Sequence, residues 1–354
     1  MSAPPRVASP PVPPVQSRRL ELRSYDEFVD AVRDAAIGGC ILRKDERPWR
    51  LESHAIGAAL VQSGQNGAPS VSELQVAPDR TGLVVLAPEA PPRFVDGREM
   101  DAAAFGLLRP GALVEISTPS PTAWFAVTAS PEAVEHEAAL LDGAPSVPAH
   151  LPTTSLVWSP PDVAALRKLL VDVTEALDSN PGALHPEAVA NMERVLLRAV
   201  ARLSRGASSH RGRGRPLRVD RSTAFRAIFE FLRTLPSGPV YLEDLCRATG
   251  LPERTLRLLF LEQFGESPVR VLRARRLCLV YEALREPGVG FKQIRQVAGS
   301  CGFWHMGQFA ADYRSLFGER PSDTVRRARL RGPRARPSRA SANAAMPRVT
   351  TAAH

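Results

Sequence analysis

An α+β chain is predicted, β-rich in its first half, helical in its second, with a helical hairpin between them. Three observations carry this prediction. Residues 41–158 hold short apolar runs at Gly57–Val61, Leu83–Leu86, Leu113–Ile116 and Trp124–Val127, separated by Gly, Pro, Asn and Asp clusters. Residues 161–204 switch to helical periodicity in two segments with a turn between them. Residues 220–327 keep that periodicity throughout. Short apolar runs bounded by turn signals read as strands, and i, i+3, i+4 spacing reads as helix.

The 354 residues allow about two domains plus tails. With 44% hydrophobic and 23% charged residues, the composition is that of a soluble globular protein with real cores. No run approaches the ~18 apolar residues of a membrane span. The opening MSAPPRVASPPVPPV is broken by prolines and has no apolar stretch of signal-peptide length, so a cytoplasmic protein is expected. Cys40, Cys246, Cys278 and Cys301 are scattered without a CxxC pair, which fits small hydrophobes in a reducing compartment.

Charge divides the chain unevenly. The net charge is +9, yet residues 1–204 hold 18 basic and 25 acidic side chains. The remaining 150 residues hold 28 basic and 12 acidic ones. A coding bias toward arginine spreads base along a chain but does not remove acid from one end. The asymmetry therefore points to a C-terminal half that meets a polyanion.

Taken in order, residues 1–19 are Pro-, Ser- and Val-rich without period and are expected to be disordered. Residues 20–40 read as one helix, with Tyr25, Phe28, Val29, Val32 and Ile37 near helical spacing. The runs that follow suggest an antiparallel sandwich or barrel, with Arg109-Pro110-Gly111 as one of its turns. Trp49, Phe94, Phe105 and Trp124 suit its core or the lining of a pocket. Pro161 and Pro186 suit first helical turns, since the missing N–H is unpaired there anyway. Val163, Leu166, Leu169, Leu170, Val173 and Leu177 form one stripe of the hairpin, and Val189, Met192, Leu196, Val200 and Leu203 the other. Those stripes fit either packing on the chain's own sheet or a dimer face. Residues 20–204 are thus read as a sensor and dimerisation domain. Residues 205–219, Gly-, Ser- and Arg-rich, read as a flexible basic linker whose Arg211, Arg213 and Arg215 could touch phosphate. Residues 328–354 read as a disordered basic tail.

Within 220–327 the segment Leu242–Phe260 has the grammar of two helices joined by a tight turn. Leu242, Leu245 and Cys246 make an inner face, Gly250 ends the first helix, and Pro252 begins the second. Leu256, Leu259 and Phe260 are its buried side, leaving Glu253, Arg254, Thr255, Arg257 and Leu258 outward. A long amphipathic helix from about Val269 to Arg285 follows. The grammar then recurs: Phe291, Ile294, Val297 and Ala298 form a helix, Gly299 and Gly302 loosen the turn, and Trp304 to Phe317 form a second candidate reading helix with Phe309, Tyr313 and Phe317 inward. A second helix of this kind lies in the DNA major groove and reads with its N-terminal residues.

Phe264-Gly265-Glu-Ser-Pro268, and the run from Gly302-Phe303 through Phe309-Ala-Ala-Asp-Tyr313-Arg-Ser-Leu-Phe317-Gly318-Glu-Arg-Pro321, resemble the AraC/XylS family of bacterial transcription regulators. The resemblance covers about residues 222–327. Gly302-Phe-Trp-His-Met-Gly307 looks most like the branch of the ethanolamine operon regulator. The family implies that each reading helix enters one of two successive major grooves. Position by position, it implies base reading by Arg254, Thr255 and Arg257 in the first motif, and by Trp304, His305 and Gln308 in the second. Met306, Gly307, Ala310 and Ala311 offer few hydrogen-bonding groups, so shape and phosphate contacts gain weight in that second helix. The family further implies a cupin-like N-terminal domain, an unidentified small-molecule effector, a homodimer, operator or promoter DNA as partner, and RNA polymerase as a further one.

Catalysis is not expected. The N-terminal half has no GxxxxGK[ST], HExxH, GxSxG or GxGxxG, and His54, His136, His150 and His185 are isolated. A metal-binding cupin would need converging ligands such as an HxH and a later Glu, so no metal and no cofactor are expected. The expected function is ligand-controlled, sequence-specific DNA binding. The alternative is a constitutive DNA-binding protein whose N-terminal half is only a protein-interaction module.

Overall fold

A computed structural model of the chain describes residues 15–44, 47–140, 154–179, 185–206, 221–234, 239–286 and 288–331. The expectations for residues 1–14, for the linker beyond Gly206 and for the tail beyond Arg331 lie outside the described residues. The chain divides into two compact units: Met1–Pro236 with Val240–Arg275, and Ser237–Pro239 with Arg276–His354.

The first unit opens with strand β1 (Gln16–Leu22), helix α1 (Tyr25–Ala31) and strand β2 (Ala35–Ile41). Strands β3 (Trp49–Ile56), β4 (Ala59–Gln65), β5 (Ser70–Val76), β6 (Thr81–Leu86), β7 (Arg93–Val95), β8 (Arg98–Met100), β9 (Ala104–Leu108), β10 (Leu113–Thr118) and β11 (Ala123–Ala129) follow. Helix α2 (Pro131–Leu140) and strand β12 (Thr154–Trp158) complete this part. Among the described residues the strands form two antiparallel sheets. One has seven strands in the order β1-β3-β4-β11-β6-β9-β12, the other five in the order β2-β5-β10-β7-β8.

Local chemistry sets the turns. Asp96 and Gly97, at φ 49° and 73°, join β7 to β8 in the two-residue left-handed turn that Asp-Gly favours. Gly111, at φ 68°, lies in the expected turn between β9 and β10, which the Ala112 N–H to Arg109 carbonyl bond closes at 3.0 Å.

Helices α3 (Pro160–Ser179) and α4 (Pro186–Gly206) form the expected hairpin. Its apolar stripes are core. Leu166, Leu170, Leu196 and Val200 are at most 2% exposed and cluster with Val61, Leu83, Phe105 and Val127 of the seven-stranded sheet. The hairpin thus packs on its own sheet, and the stripes are closed to a second copy. Glu193 on α4 adds a polar tie by accepting the Ala58 N–H of the β3–β4 turn at 2.7 Å.

Three expectations are corrected. Residues 20–40 are not one helix: Ser24 caps α1 by accepting the Glu27 N–H, and Asp34 at φ 62° turns the chain into β2. Ile37, counted as part of the helical stripe, pairs with Leu74 across a sheet. Part of the segment expected to be disordered is strand β1, paired over seven residues with β3. Its side chains are mostly exposed, so the backbone ladder rather than an apolar pattern holds it. Lastly, residues 328–331, assigned to the tail, finish a helix that begins at Pro321.

A cavity of about 60 Å³ is lined by both sheets. Trp124 lines it, whereas Trp49 packs on Tyr25 and Phe28, and Phe105 belongs to the core under the hairpin. The first unit continues through helices α5 (Arg221–Thr234), α6 (Leu242–Thr249), α7 (Glu253–Phe264) and the start of α8 (Pro268–Leu284). The second unit takes the rest of α8, a short 3₁₀ turn at Phe291–Gln293, and helices α9 (Ile294–Ser300), α10 (Met306–Phe317) and α11 (Pro321–Arg331). The architecture is α+β, with a β-rich, cupin-like part bearing a helical hairpin and a helical part bearing two helix-turn-helix motifs. None of the described helices is long and apolar enough to cross a membrane.

Candidate nucleic-acid interface

Helix α6 ends where Gly250 adopts the left-handed conformation, at φ 69°, and returns its N–H to the Cys246 carbonyl. A side chain there is strained, which is why the tight turn uses glycine. Leu245, Leu256 and Phe260 are fully buried and Leu259 nearly so, fixing α7 by its inner face. Phe260 and Phe264 pack at 4.9 Å between ring centroids, and Phe264 stacks on Phe225 of α5.

That packing turns the opposite face of α7 outward. Arg254 and Arg257 are exposed, and Thr255 is half-buried. Arg257 donates from Nε to Glu253 Oε1 at 2.7 Å, one helical turn back. Its guanidinium is thus already engaged by an exposed carboxylate. The two residues have the i, i+4 spacing that lets side chains on one helix face pair. Leu258 and Leu261 are exposed by 60% and 59%, so the outward face of α7 is part apolar.

The second motif repeats the construction in its own unit. Gly302 takes φ 81° after α9, and the buried Phe303, Phe309 and Tyr313 pack in sequence with centroids 5.2 and 5.6 Å apart. Tyr313 donates or accepts at 2.8 Å with Thr324 of α11, and burial pushes its phenol up. Phe317 is half-buried and stacks on Tyr281. Helix α10 begins at Met306 rather than at Trp304, with His305 at its N-cap position. Trp304 is 77% exposed, which excludes a core-capping role, and His305 is exposed beside it. Gln308 is exposed on the first turn, with its Nε2 on Asp312 Oδ1 at 2.9 Å.

Each motif therefore brings its three sequence-assigned residues to one outward helix start: Arg254, Thr255 and Arg257 on α7, and Trp304, His305 and Gln308 at the head of α10. The available chemistry is that of hydrogen-bond donors and a flat aromatic surface on protruding helix ends. No group of three or more His, Cys, Asp or Glu that could hold a metal occurs among the described residues.

A family model described as a helix-turn-helix domain matches residues 245–327. The chain is similar to XylDLEGF operon transcriptional activator 2 of Pseudomonas putida, at 34% identity over 107 residues, covering 30% of this chain and 68% of that protein. It is similar to XylDLEGF operon transcriptional activator 3 of the same organism at 32% identity over 108 residues, covering 30% of this chain and 33% of that protein. The chain thus spans about a third of the length of that relative. Among solved structures, a probable AraC family transcriptional regulator from Rhodopseudomonas palustris is 33% identical, with 30% of this chain and 96% of that chain covered, at a TM-score of 0.28.

Proposed function

The chain belongs to the AraC/XylS family of transcription regulators, and from that premise we propose that it controls a promoter by binding operator DNA in a sequence-specific way. Residues 220–327 are the proposed reader. Arg254, Thr255 and Arg257, with Trp304, His305 and Gln308, are the proposed base-reading residues. The observation that carries this reading is the pair of outward helix starts, each held by a buried aromatic and aliphatic face behind it. Arginine suits bidentate contact with guanine, and helix N-terminal residues are those that reach base edges.

The Pseudomonas putida relatives are named operon activators, and activation, with RNA polymerase as partner, is carried over from them as part of the proposal. Residues 20–204 are the proposed sensor domain of a cytoplasmic protein, and the cavity between its sheets supports control by a small-molecule effector over constitutive binding. A homodimer belongs to this reading through a surface other than the buried hairpin stripes. The wording Gly302–Gly307 keeps the ethanolamine-operon branch as the proposed subgroup.

The test is genome-wide mapping of bound sites, followed by titration of the recovered site against scrambled DNA. Binding confined to a short shared sequence supports the reading. Equal affinity for both DNAs across a salt series overturns it.

A further inference from the structure

The cavity between the sheets contains a charge that the fold does not neutralise. Arg93 on β7 lines it and is 5% exposed. Strand alternation places Arg93 with Val95 on the inward face of the sheet, both lining the cavity. Its Nε is buried without a hydrogen-bond partner, and no acid among the described residues forms an ion pair with it. Burial alone pulls its pKa down to about 10, so it stays cationic at neutral pH.

Of the other polar groups at the cavity, Arg33 is exposed to solvent, whereas Asp34, Thr128 and Gln62 are already engaged. Asp34 accepts from Thr128 Oγ1 at 2.6 Å and pairs with Arg80 at 3.5 Å. Gln62 is held at both ends by the Arg33 backbone, at 3.0 and 3.1 Å. The rest of the wall is largely aliphatic and aromatic: Leu74, Val114 and Ile116 from one sheet, Val84, Ala126 and Trp124 from the other. An isolated guanidinium among such groups is strongly unfavourable unless an anion joins it.

We propose that this cavity binds a compact organic acid, its carboxylate on the Arg93 guanidinium and its short apolar body between Trp124 and the aliphatic wall. The arrangement selects the class. A planar carboxylate matches one guanidinium fork with one charge, whereas a phosphate needs several further donors. A bare inorganic anion leaves the apolar wall unfilled. The volume, about 60 Å³, is well below the ~150 Å³ of a cavity that takes benzene, so the body is short. The proposal rests on the effector reading above for its consequence at DNA, but not for the binding itself.

Calorimetric titration of the full chain with butyrate, butyramide and inorganic phosphate tests it, with melting curves taken in parallel. Saturable butyrate binding is expected, with butyramide and phosphate weaker by roughly tenfold or more. Arg93→Met is expected to lose the preference for butyrate while melting, without ligand, at or above the wild-type temperature. Equal binding of butyrate and butyramide to the wild type overturns the proposal whether or not the variant folds. Undetectable butyrate binding overturns it too, as does a folded Arg93→Met that keeps the preference. Operator affinity measured on the same samples separates the two readings. Butyrate binding that leaves operator affinity unchanged supports the site and removes effector control. An operator response to some other molecule, without butyrate binding, keeps effector control and overturns the site.

Discussion

Arg233 on α5 reaches Glu115 on β10, with 2.5 Å between Nη2 and Oε1, and so ties α5, against which Phe264 of α7 packs, to the five-stranded sheet. The same guanidinium meets Glu73 at 3.4 Å and Glu230 at 2.8 Å. Nearby, Ser117 donates to the Gln263 carbonyl of α7, and Gln263 donates to the Gly97 carbonyl at 3.3 Å. Strand β10 therefore faces two ways. Val114 and Ile116 line the cavity, while Glu115 and Ser117 bond to α5 and α7. A ligand in the cavity would press on the strand that holds the first proposed reading helix.

This contact has a pH dependence. Burial pushes Glu115 up to about 8, against the pull of Arg233 and with the support of Asp96, Glu73 and Glu230. A carboxyl whose folded pKa is raised stabilises the fold fully below its unfolded pKa, and that contribution is lost as pH rises through the folded value. Stability is thus expected to decline between about pH 4.5 and 8 from this group. Glu115→Gln should flatten the decline and be the more stable form at pH 8, as read from urea melts across that range. Arg233→Met removes the cation that Glu73, Glu230 and, once ionised above about pH 8, Glu115 face, and with Arg233 partly exposed the expected cost is roughly 1–3 kcal/mol.

The hairpin yields a second prediction. Leu166 and Leu196 are 2% and 0% exposed in the core beneath the seven-stranded sheet. Leu166→Glu with Leu196→Glu should abolish folding rather than yield folded monomers. Leu170→Ala, a milder change at a fully buried site, should cost about 2–5 kcal/mol in a denaturant melt. A folded monomer from the double Glu variant would place the stripes at a subunit interface instead.

These residues also show what the sequence could convey. The stripes of α3 and α4 fixed two helices and their inner faces, because helical period is local. What the stripes face is not local: an apolar ridge is equally suited to a sheet or to a second copy, and only the fold decides. The two reading helices were legible for the same local reason, with Gly250 and Gly302 marking turns that need positive φ. Strand β1 was not, since Arg18 and Arg19 point to solvent and its register comes from β3. Nor was Arg93, whose neighbours in the cavity come from strands far apart in sequence. An arginine in the short strand segment Arg93-Phe-Val95 was its only sequence signal.

Arg254 and Arg257 should differ, although they share one face of α7. Arg254→Ala is expected to cost roughly 1–3 kcal/mol at one base position, leaving scrambled DNA nearly unaffected. Arg257 must share or release Glu253 before it meets a base, so Arg257→Ala should cost less. Glu253→Gln removes an acid beside the DNA and frees the guanidinium. It should strengthen binding to both DNAs and steepen the salt dependence. Titrations on operator and scrambled duplexes at several salt concentrations check all three. A larger loss for Arg257→Ala than for Arg254→Ala would show that the exposed pair does not hold Arg257 back.

Trp304 and Phe303 give the sharpest contrast, because they are adjacent in sequence and opposite in environment. Phe303 is 8% exposed, packs on Phe309 and carries the Arg276 guanidinium at 5.1 Å from its ring centre. Trp304 is 77% exposed, and its ring has no aromatic neighbour among the described residues. Phe303→Ala should cost about 3–5 kcal/mol of stability and lose DNA binding as a consequence. Trp304→Ala should leave the melt within about 0.5 kcal/mol of the wild type, as surface changes usually do. If the exposed indole meets DNA at the head of α10, the same variant should still weaken operator binding. Circular dichroism melts beside operator titrations decide between the roles. A Trp304→Ala protein with unchanged melting and unchanged operator affinity would remove Trp304 from the reading surface and leave His305 and Gln308 to carry it.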